Sequence, residues 1–228
     1  MKASAIIVAA GSGSRLGRNE PKAFVPLGGR TLLSWSLATI ARVPMIGEVV
    51  IAVPAGMESA ARREASALST PVKITPGGAE RQDSVRIALA ITSAQSELVI
   101  VHDAARPFAT PQMFEACLEA AERAGGAIAA VPVADTLKRV DDQRLITATV
   151  PRAGLWQAQT PQAFRRNLLV SAHERALKDR IAATDDADLV ERTGARVEIV
   201  ESTGFNLKIT TAADLELAQA VVDRRAPS

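Results

Sequence analysis

Short, largely apolar runs alternate with helical patterns along most of the chain. The first, Ala5–Ala10, is closed by Gly11. A run with no polar alternation suits a strand covered on both faces. Glu48–Val53 is the next and stops at Pro54. Val72–Thr75 precedes Pro76-Gly77-Gly78, Leu98–Val101 leads into His102-Asp103, and Ala127–Val133 and Arg196–Val200 come later. Helical patterns lie between them. Thr31–Arg42 puts Leu33, Leu37 and Ile40 on one face, and Met57–Leu68 and Glu80–Thr92 follow. Thr110-Pro111 is an N-cap with proline at the first helical position, and its helix spaces Phe114, Cys117, Leu118 and Ala121 for one face. Strand and helix in alternation predict an α/β fold with a mainly parallel central sheet flanked by helices. The chain of 228 residues reads as a single domain, 1–228, and its 47% hydrophobic and 23% charged residues exclude wholesale disorder.

One segment breaks the rhythm. Residues 135–152 hold Lys138-Arg139, an acidic turn at Asp141-Asp142 and β-branched alternation over Leu145–Val150, which predicts an inserted hairpin. Two antiparallel strands alone are marginal in water, so such an arm needs a surface to pack on, and a second copy of the chain supplies one. Beyond it, Thr160-Pro161 predicts another helix, with Phe164 and Leu168 facing inward. Thr184-Asp185-Asp186 predicts a cap for Ala187–Thr193, and Thr211 with Asp214 a capping box for the last helix.

Composition removes several function classes. Lys and Arg total 27 against 25 Asp and Glu, a net charge of +2, and aromatics are 3% with no Tyr. That excludes a strongly basic, base-stacking nucleic-acid binder. The single cysteine, Cys117, cannot form an intramolecular disulfide and favours the cytoplasm. On its inner helix face it reads as a small core hydrophobe. No apolar run reaches 18 residues, so no membrane span is expected, and the apolar start is too short for a signal peptide. His102 reads as structural, His173 as exposed or half-buried, and Trp35 and Trp156 as packing residues.

Ligands in α/β sheets sit outside the carboxyl ends of the strands. The loop after the first strand reads Ala9-Ala10-Gly11-Ser12-Gly13-Ser14-Arg15-Leu16-Gly17, with Pro21-Lys22 beyond. Glycines there let backbone N–H groups approach an anion. The dinucleotide fingerprint would need glycine where Leu16 stands and an acid where Val53-Pro54 closes the second strand. The Gly-Lys-Ser/Thr of a Walker A loop is also missing. What remains is a glycine loop with two cations, Arg15 and Lys22, suited to a triphosphate that gains charge during transfer.

This loop resembles that of nucleotidyltransferases that activate sugar or polyol phosphates. Five further motifs appear in order. They are Gly77-Gly78-Ala79-Glu80-Arg81-Gln82-Asp83-Ser84-Val85, Val101-His102-Asp103-Ala104-Ala105-Arg106-Pro107, Asp135-Thr136-Leu137-Lys138, Thr160-Pro161-Gln162 and Asn206-Leu207-Lys208-Ile209-Thr210. Together the six resemble the 2-C-methyl-D-erythritol 4-phosphate cytidylyltransferase family over about Ala5 to Val222. The resemblance implies a Rossmann-like nucleotidyltransferase domain with the inserted arm. It implies CTP and methylerythritol phosphate as substrates, a divalent metal such as magnesium (Mg2+), and a homodimer built through the arm.

The resemblance also assigns roles. Arg15 and Lys22 would stabilise the transition state at the α-phosphate. Arg152 and Lys208 would hold the acceptor phosphate, Arg152 in the neighbouring subunit's site. Gly78, Arg81 and Ser84 would form the cytidine pocket with the backbone of Ala9, Ala10, Gly11 and Gly13. Thr136, Thr160 and Thr184 match hydroxyls near the acceptor, although Thr160 and Thr184 also read as helix caps. Asp103 ends a strand where an acid can touch metal or ribose, and Arg106 can contact phosphate or pair with Asp103. Val8, Ala79 and Phe205 depart from the family pattern, and Phe205 weakens the case for a second carboxylate at the metal. Three alternatives stand beside this reading: a ribitol 5-phosphate cytidylyltransferase, a dinucleotide-dependent oxidoreductase, and an idle nucleotide sensor.

Overall fold

The structure is a computed structural model and describes residues 2–11, 13, 16 and 20–225. β1 (Ala3–Val8) leads through the glycine loop to a short hairpin, β2 (Pro26–Leu27) and β3 (Arg30–Thr31), and then α1 (Leu32–Ile40). There follow β4 (Ile46–Val53), α2 (Glu58–Glu64), β5 (Val72–Pro76), α3 (Arg81–Ala90), β6 (Leu98–Asp103), α4 (Pro111–Ala124) and β7 (Gly126–Pro132). The arm is β8 (Leu137–Val140) and β9 (Ile146–Val150). Beyond it come β10 (Trp156–Arg165), α5 (Arg166–Asp179), α6 (Asp186–Glu191), β11 (Val197–Glu201) and α7 (Ala212–Arg225).

Seven strands form one sheet in the order β11-β7-β10-β6-β1-β4-β5. All neighbours pair in parallel except β10, which runs antiparallel to both β6 and β7. β1, β4 and β6 are buried on both faces, as their unbroken apolar runs require. Helices α1, α2 and α4 cover one face, burying Leu33, Leu37, Ala61, Phe114 and Leu118 against it. Helices α3, α5 and α6 cover the other with Val85, Leu89, Leu169, Leu189 and Val190. A third cluster joins Val25, Leu27 and Leu32 to Phe108, Ile209 and Ala218, tying α7 to the first hairpin. Thr110 caps α4 by accepting the Met113 N–H, and Thr211 with Asp214 caps α7 reciprocally, both as predicted.

Four expectations fail. Thr160-Pro161 opens no helix: the segment is the middle of β10, and Phe164 is buried as a strand residue. Pairing on both sides, Gln162 with Val101 and with Ile128, overrides the local cap signal. Pro161 sits where the pairing with β7 is irregular, between Ala158 and Gln162, so its missing N–H leaves no gap in a regular ladder. Thr184 does not cap α6; Asp185 does, accepting the Asp188 N–H at 3.0 Å, and Thr184 is exposed. His173 is buried on α5 rather than exposed, and Trp156 is exposed rather than packed. Trp35 does pack, edge-on to Phe108 with its Nε1–H on the Leu27 carbonyl. Cys117 lies in the core, where burial pushes its thiol up to about 12 and keeps it protonated.

The hairpin at 135–152 is present and stands apart from the main sheet as its own two-stranded ladder, Leu137 opposite Val150 and Lys138 opposite Thr149. Leu145 and Ile146, at the start of β9, are 61% and 65% exposed, an unusual state for two adjacent large apolar residues. Among the described residues no helix is long and apolar enough to cross a membrane.

Candidate active site

The carboxyl ends of β1, β5 and β6 open onto a cleft of about 460 Å3. One wall is the backbone of Val8 to Gly11, leaving β1. Opposite lies the turn from Gly78 to Arg81, running into α3 with Ser84 behind it, and the floor is Asp103 to Ala105 at the end of β6. Lys22 and Lys208 complete the lining. The volume falls within the usual range for small-ligand pockets, roughly 300–1,000 Å3.

The glycine loop closes tightly over Lys22. The Lys22 N–H reaches the Gly11 carbonyl at 3.3 Å, and Gly13 adopts φ 72° so near that a Cβ there would stand 2.9 Å from Lys22 Cβ. Glycine is required at 13 both for the dihedral and for the approach. On the opposite wall Ser84 Oγ accepts the Gly78 N–H and donates to the Glu80 carbonyl, each at 3.1 Å. A Cβ on Gly78 would collide with Asp83, so this turn lies directly on the first turn of α3.

A chain of polar contacts runs from the interior to the cleft. His173 Nε2 donates to Asp186 Oδ1 at 3.1 Å, and Arg81 Nη1 donates to Asp186 Oδ2 at 2.8 Å. Arg81 Nε reaches Asp103 Oδ1 at 3.0 Å, and Lys208 Nζ reaches Asp103 Oδ2 at 2.7 Å. Burial alone would raise the Asp103 carboxyl, but Arg81 and Lys208 more than offset it and hold the group well below the ordinary carboxylate range. Asp186 is likewise raised by burial and lowered further by Arg81 and the His173 hydrogen bond. Arg81 loses solvation yet stays charged, because Asp186 and Asp103 favour the cation.

These shifts set a pH dependence. Both folded carboxyls lie below their unfolded value of 3.8, so their stabilisation is present above that value and is lost as the pH falls through the folded one. Unfolding free energy measured in urea is expected to drop between about pH 5 and pH 2. Arg81→Met is expected to flatten that drop; an unchanged slope would contradict the pairing.

His102 sits under the floor, and burial lowers its pKa to about 4, so it is neutral at neutral pH. Its Nε2 faces the Arg106 carbonyl at 3.2 Å and must carry the hydrogen. Nδ1 is then an acceptor and takes the Thr160 hydroxyl at 3.1 Å, while Thr160 Oγ1 accepts the Asp103 N–H at 3.0 Å. Thr160 therefore fixes the backbone of Asp103 from beneath and does not line the cleft.

The structure thus gathers Ala9, Ala10, Gly11, Lys22, Gly78, Arg81, Ser84, Asp103 and Lys208 around one cleft. It places Thr136 and Arg152 on the exposed arm, Thr184 before α6, and Arg106 beneath the Lys208 segment, none of them lining it. Arg15 lies outside the described residues. Sequence reasoning assigned no role to Asp186, Asn206 or Gln159 and placed His173 outside the core, although Asn206 stands in one of the motifs. Asn206 and Gln159 are 47 residues apart and Asp186 is 105 from Arg81, so no local pattern joins them.

A glycine-lined cleft beyond a parallel sheet, with two lysines and a carboxylate paired to two cations, is built to take a phosphorylated nucleotide. The family model for 2-C-methyl-D-erythritol 4-phosphate cytidylyltransferase matches residues 3–224. The enzyme of that name from Deinococcus radiodurans is 47% identical over 220 residues, covering 96% of this chain and 89% of the relative. That from Syntrophotalea carbinolica is 44% identical over 227 residues, covering 98% and 97%. The crystal structure of the Thermus thermophilus cytidylyltransferase superposes with a TM-score of 0.82 at 38% identity, over 98% of this chain and 100% of the other. The 4-diphosphocytidyl-2C-methyl-D-erythritol synthase of Anaerococcus prevotii gives 0.88 at 31% identity, over 98% and 96%. The chain belongs to the 2-C-methyl-D-erythritol 4-phosphate cytidylyltransferase family and is a cytidylyltransferase. The family disfavours the dinucleotide-oxidoreductase and ribitol-phosphate alternatives.

Proposed function

We propose that this chain transfers CMP from CTP to 2-C-methyl-D-erythritol 4-phosphate, giving 4-diphosphocytidyl-2-C-methyl-D-erythritol and pyrophosphate. The observation that carries the proposal is the single cleft joining the glycine loop and Lys22, the Gly78–Ser84 turn, and the Asp103–Lys208 pair. The acceptor phosphate oxygen, already ionised at neutral pH, attacks the CTP α-phosphorus. A new phosphoanhydride bond forms, and the bond to the bridging oxygen breaks, its electron pair leaving with pyrophosphate. No proton has to move and no side chain acts as nucleophile. Positioning and charge neutralisation do the catalysis.

Lys22, with Arg15 by the family resemblance, faces the charge that grows on the transferring phosphate. Lys208 holds the acceptor phosphate against it. Ser84 shapes the cytidine wall by holding Gly78, so Ser84→Ala is expected to raise the KM for CTP by roughly tenfold, the worth of one such hydrogen bond. An unchanged KM in steady-state assays would show that the turn holds without it.

Magnesium fits this donor set as a metal carried on the triphosphate. Asp103 is a single carboxylate at the cleft floor, and no group of three His, Cys, Asp or Glu is assembled among the described residues. Magnesium tolerates one carboxylate when phosphate oxygens and waters complete its shell. Asp103 is the residue that would face it, and the ion would supply charge neutralisation on the phosphates.

The active form is a homodimer in which each arm reaches the other subunit and brings Thr136 and Arg152 to its cleft. The exposed Leu145 and Ile146 and the isolation of the hairpin from the main sheet support this. The cytoplasm is the compartment, in keeping with a lone cysteine and a CTP substrate. The test is pyrophosphate release with magnesium, CTP and methylerythritol phosphate. Ribitol 5-phosphate, ATP and UTP serve as controls. Release that needs both CTP and methylerythritol phosphate is expected; release with ribitol 5-phosphate instead, or with no pair, overturns the reading.

A further inference from the structure

Lys208 projects from a segment with no regular secondary structure, yet two buried neighbours bracket it. Ile209 is fully buried, and its N–H donates to the Ala105 carbonyl at 2.9 Å. Asn206, also fully buried, is held from three directions. Its Nδ2 donates to Gln159 Oε1 at 2.8 Å and to the Thr160 carbonyl at 3.0 Å. Its own carbonyl accepts Arg106 Nη1 at 2.7 Å. The side-chain amide therefore ties the segment that carries Lys208 to β10, and the main-chain carbonyl of Asn206 ties it to the loop after β6. Thr160, one of its acceptors, also holds the Asp103 N–H. Both partners of the Asp103–Lys208 pair are thus set by one buried polar layer.

We propose that Asn206 is a positioning residue for the transfer. Through Gln159 and Thr160 it fixes the backbone from which Lys208 meets Asp103 and the acceptor phosphate. This rests on the reading of the cleft given above. An amide suits the place because it offers two N–H groups to two carbonyl-type oxygens, whereas a carboxylate would face both with lone pairs. A shift of Lys208 by about an ångström would move the acceptor phosphate off line, which costs on the order of a hundredfold. CTP, held on the opposite wall by Gly78 and Ser84, would be affected little.

The experiment measures kcat, both KM values and thermal stability for the wild type, Asn206→Ala, Gln159→Leu and a control, Leu118→Ala. Leu118 is buried in α4 away from the cleft. Asn206→Ala is expected to lower kcat/KM for methylerythritol phosphate by about ten- to a hundredfold, with the KM for CTP within about threefold. Gln159→Leu, which removes one acceptor without touching residue 206, is expected to move the same parameter by a smaller factor. The control is expected to lose Tm without that split. An equal rise in both KM values, or losses that only follow Tm as in the control, overturn the proposal. If Asn206→Ala does not fold, Gln159→Leu decides by the same criterion. A wild-type chain that releases no pyrophosphate overturns the reading of the site, and this inference with it; an active wild type with unsplit variants overturns this inference alone.

Discussion

Lys208→Ala is expected to lower kcat/KM for methylerythritol phosphate by about a thousandfold, roughly 4 kcal/mol of transition-state stabilisation. Attack brings an anionic phosphate onto an anionic triphosphate, so repulsion is the main barrier to approach. Lys208 stands at the cleft floor, 2.7 Å from Asp103. Without its ammonium, Asp103 keeps Arg81 as a partner but presents an uncompensated oxygen where the acceptor must sit. Attraction is then replaced by a net repulsion, which is why the loss exceeds that of an ordinary surface lysine. Arg is not equivalent: a planar fork cannot occupy the site of a compact point charge at this distance, so Lys208→Arg is expected to recover only part of the rate. CTP binding measured by calorimetry is expected to survive, because the wall proposed for CTP is formed by the backbone of Ala9 to Gly11 and by Gly78 and Ser84. A loss of less than about tenfold would remove Lys208 from the chemistry.

Legibility in the sequence follows the range of the interactions. The parallel strands are readable because burial on both faces writes an unbroken apolar run, as in Ile6-Ile7-Val8 and Val49–Val53. Lys208 is readable because a charge between Leu207 and Ile209 has no packing excuse. The strand β10 is not, since Thr160-Pro161 is chemically the same signal as Thr110-Pro111, which does cap a helix. Only pairing with β6 and β7 separates the two cases. His173 reads as exposed or half-buried because its partner, Asp186, lies on another helix. Arg81 stands out through its motif, but its link to Asp186 spans 105 residues and leaves no local trace. The first hairpin escapes notice although Gly28-Gly29 between Leu27 and Arg30 is a turn signal, because its strands are two residues long.

Mixed dimers give the second large effect. If, as proposed, each supplies a cation facing phosphate, Arg152→Ala alone and Lys22→Ala alone are each expected to lose about a hundredfold or more in kcat. Lys22 belongs to the cleft of its own chain. Arg152 is exposed at the root of the arm, its Nη1 on the Ala134 carbonyl, and lines no part of that cleft. If the arm serves the neighbour, a dimer of one Lys22→Ala chain and one Arg152→Ala chain holds one site lacking both cations and one site lacking neither. Random pairing on coexpression makes about half of the dimers mixed, so about a quarter of all sites are intact, and that fraction of wild-type activity should return. Two inactive proteins would then give an active preparation, a result no destabilised monomer can imitate. If Arg152 acted within its own chain, every site in the mixture would lack one cation, and activity would stay at the level of the parents. Asp141→Ala, which removes the carboxylate accepting the Gln143 and Leu145 N–H groups at the arm's tip, is the companion variant. Loosening that turn should weaken dimers in sedimentation and reduce the recovered activity in step, because in the proposed dimer the arm must be both formed and docked to deliver Arg152.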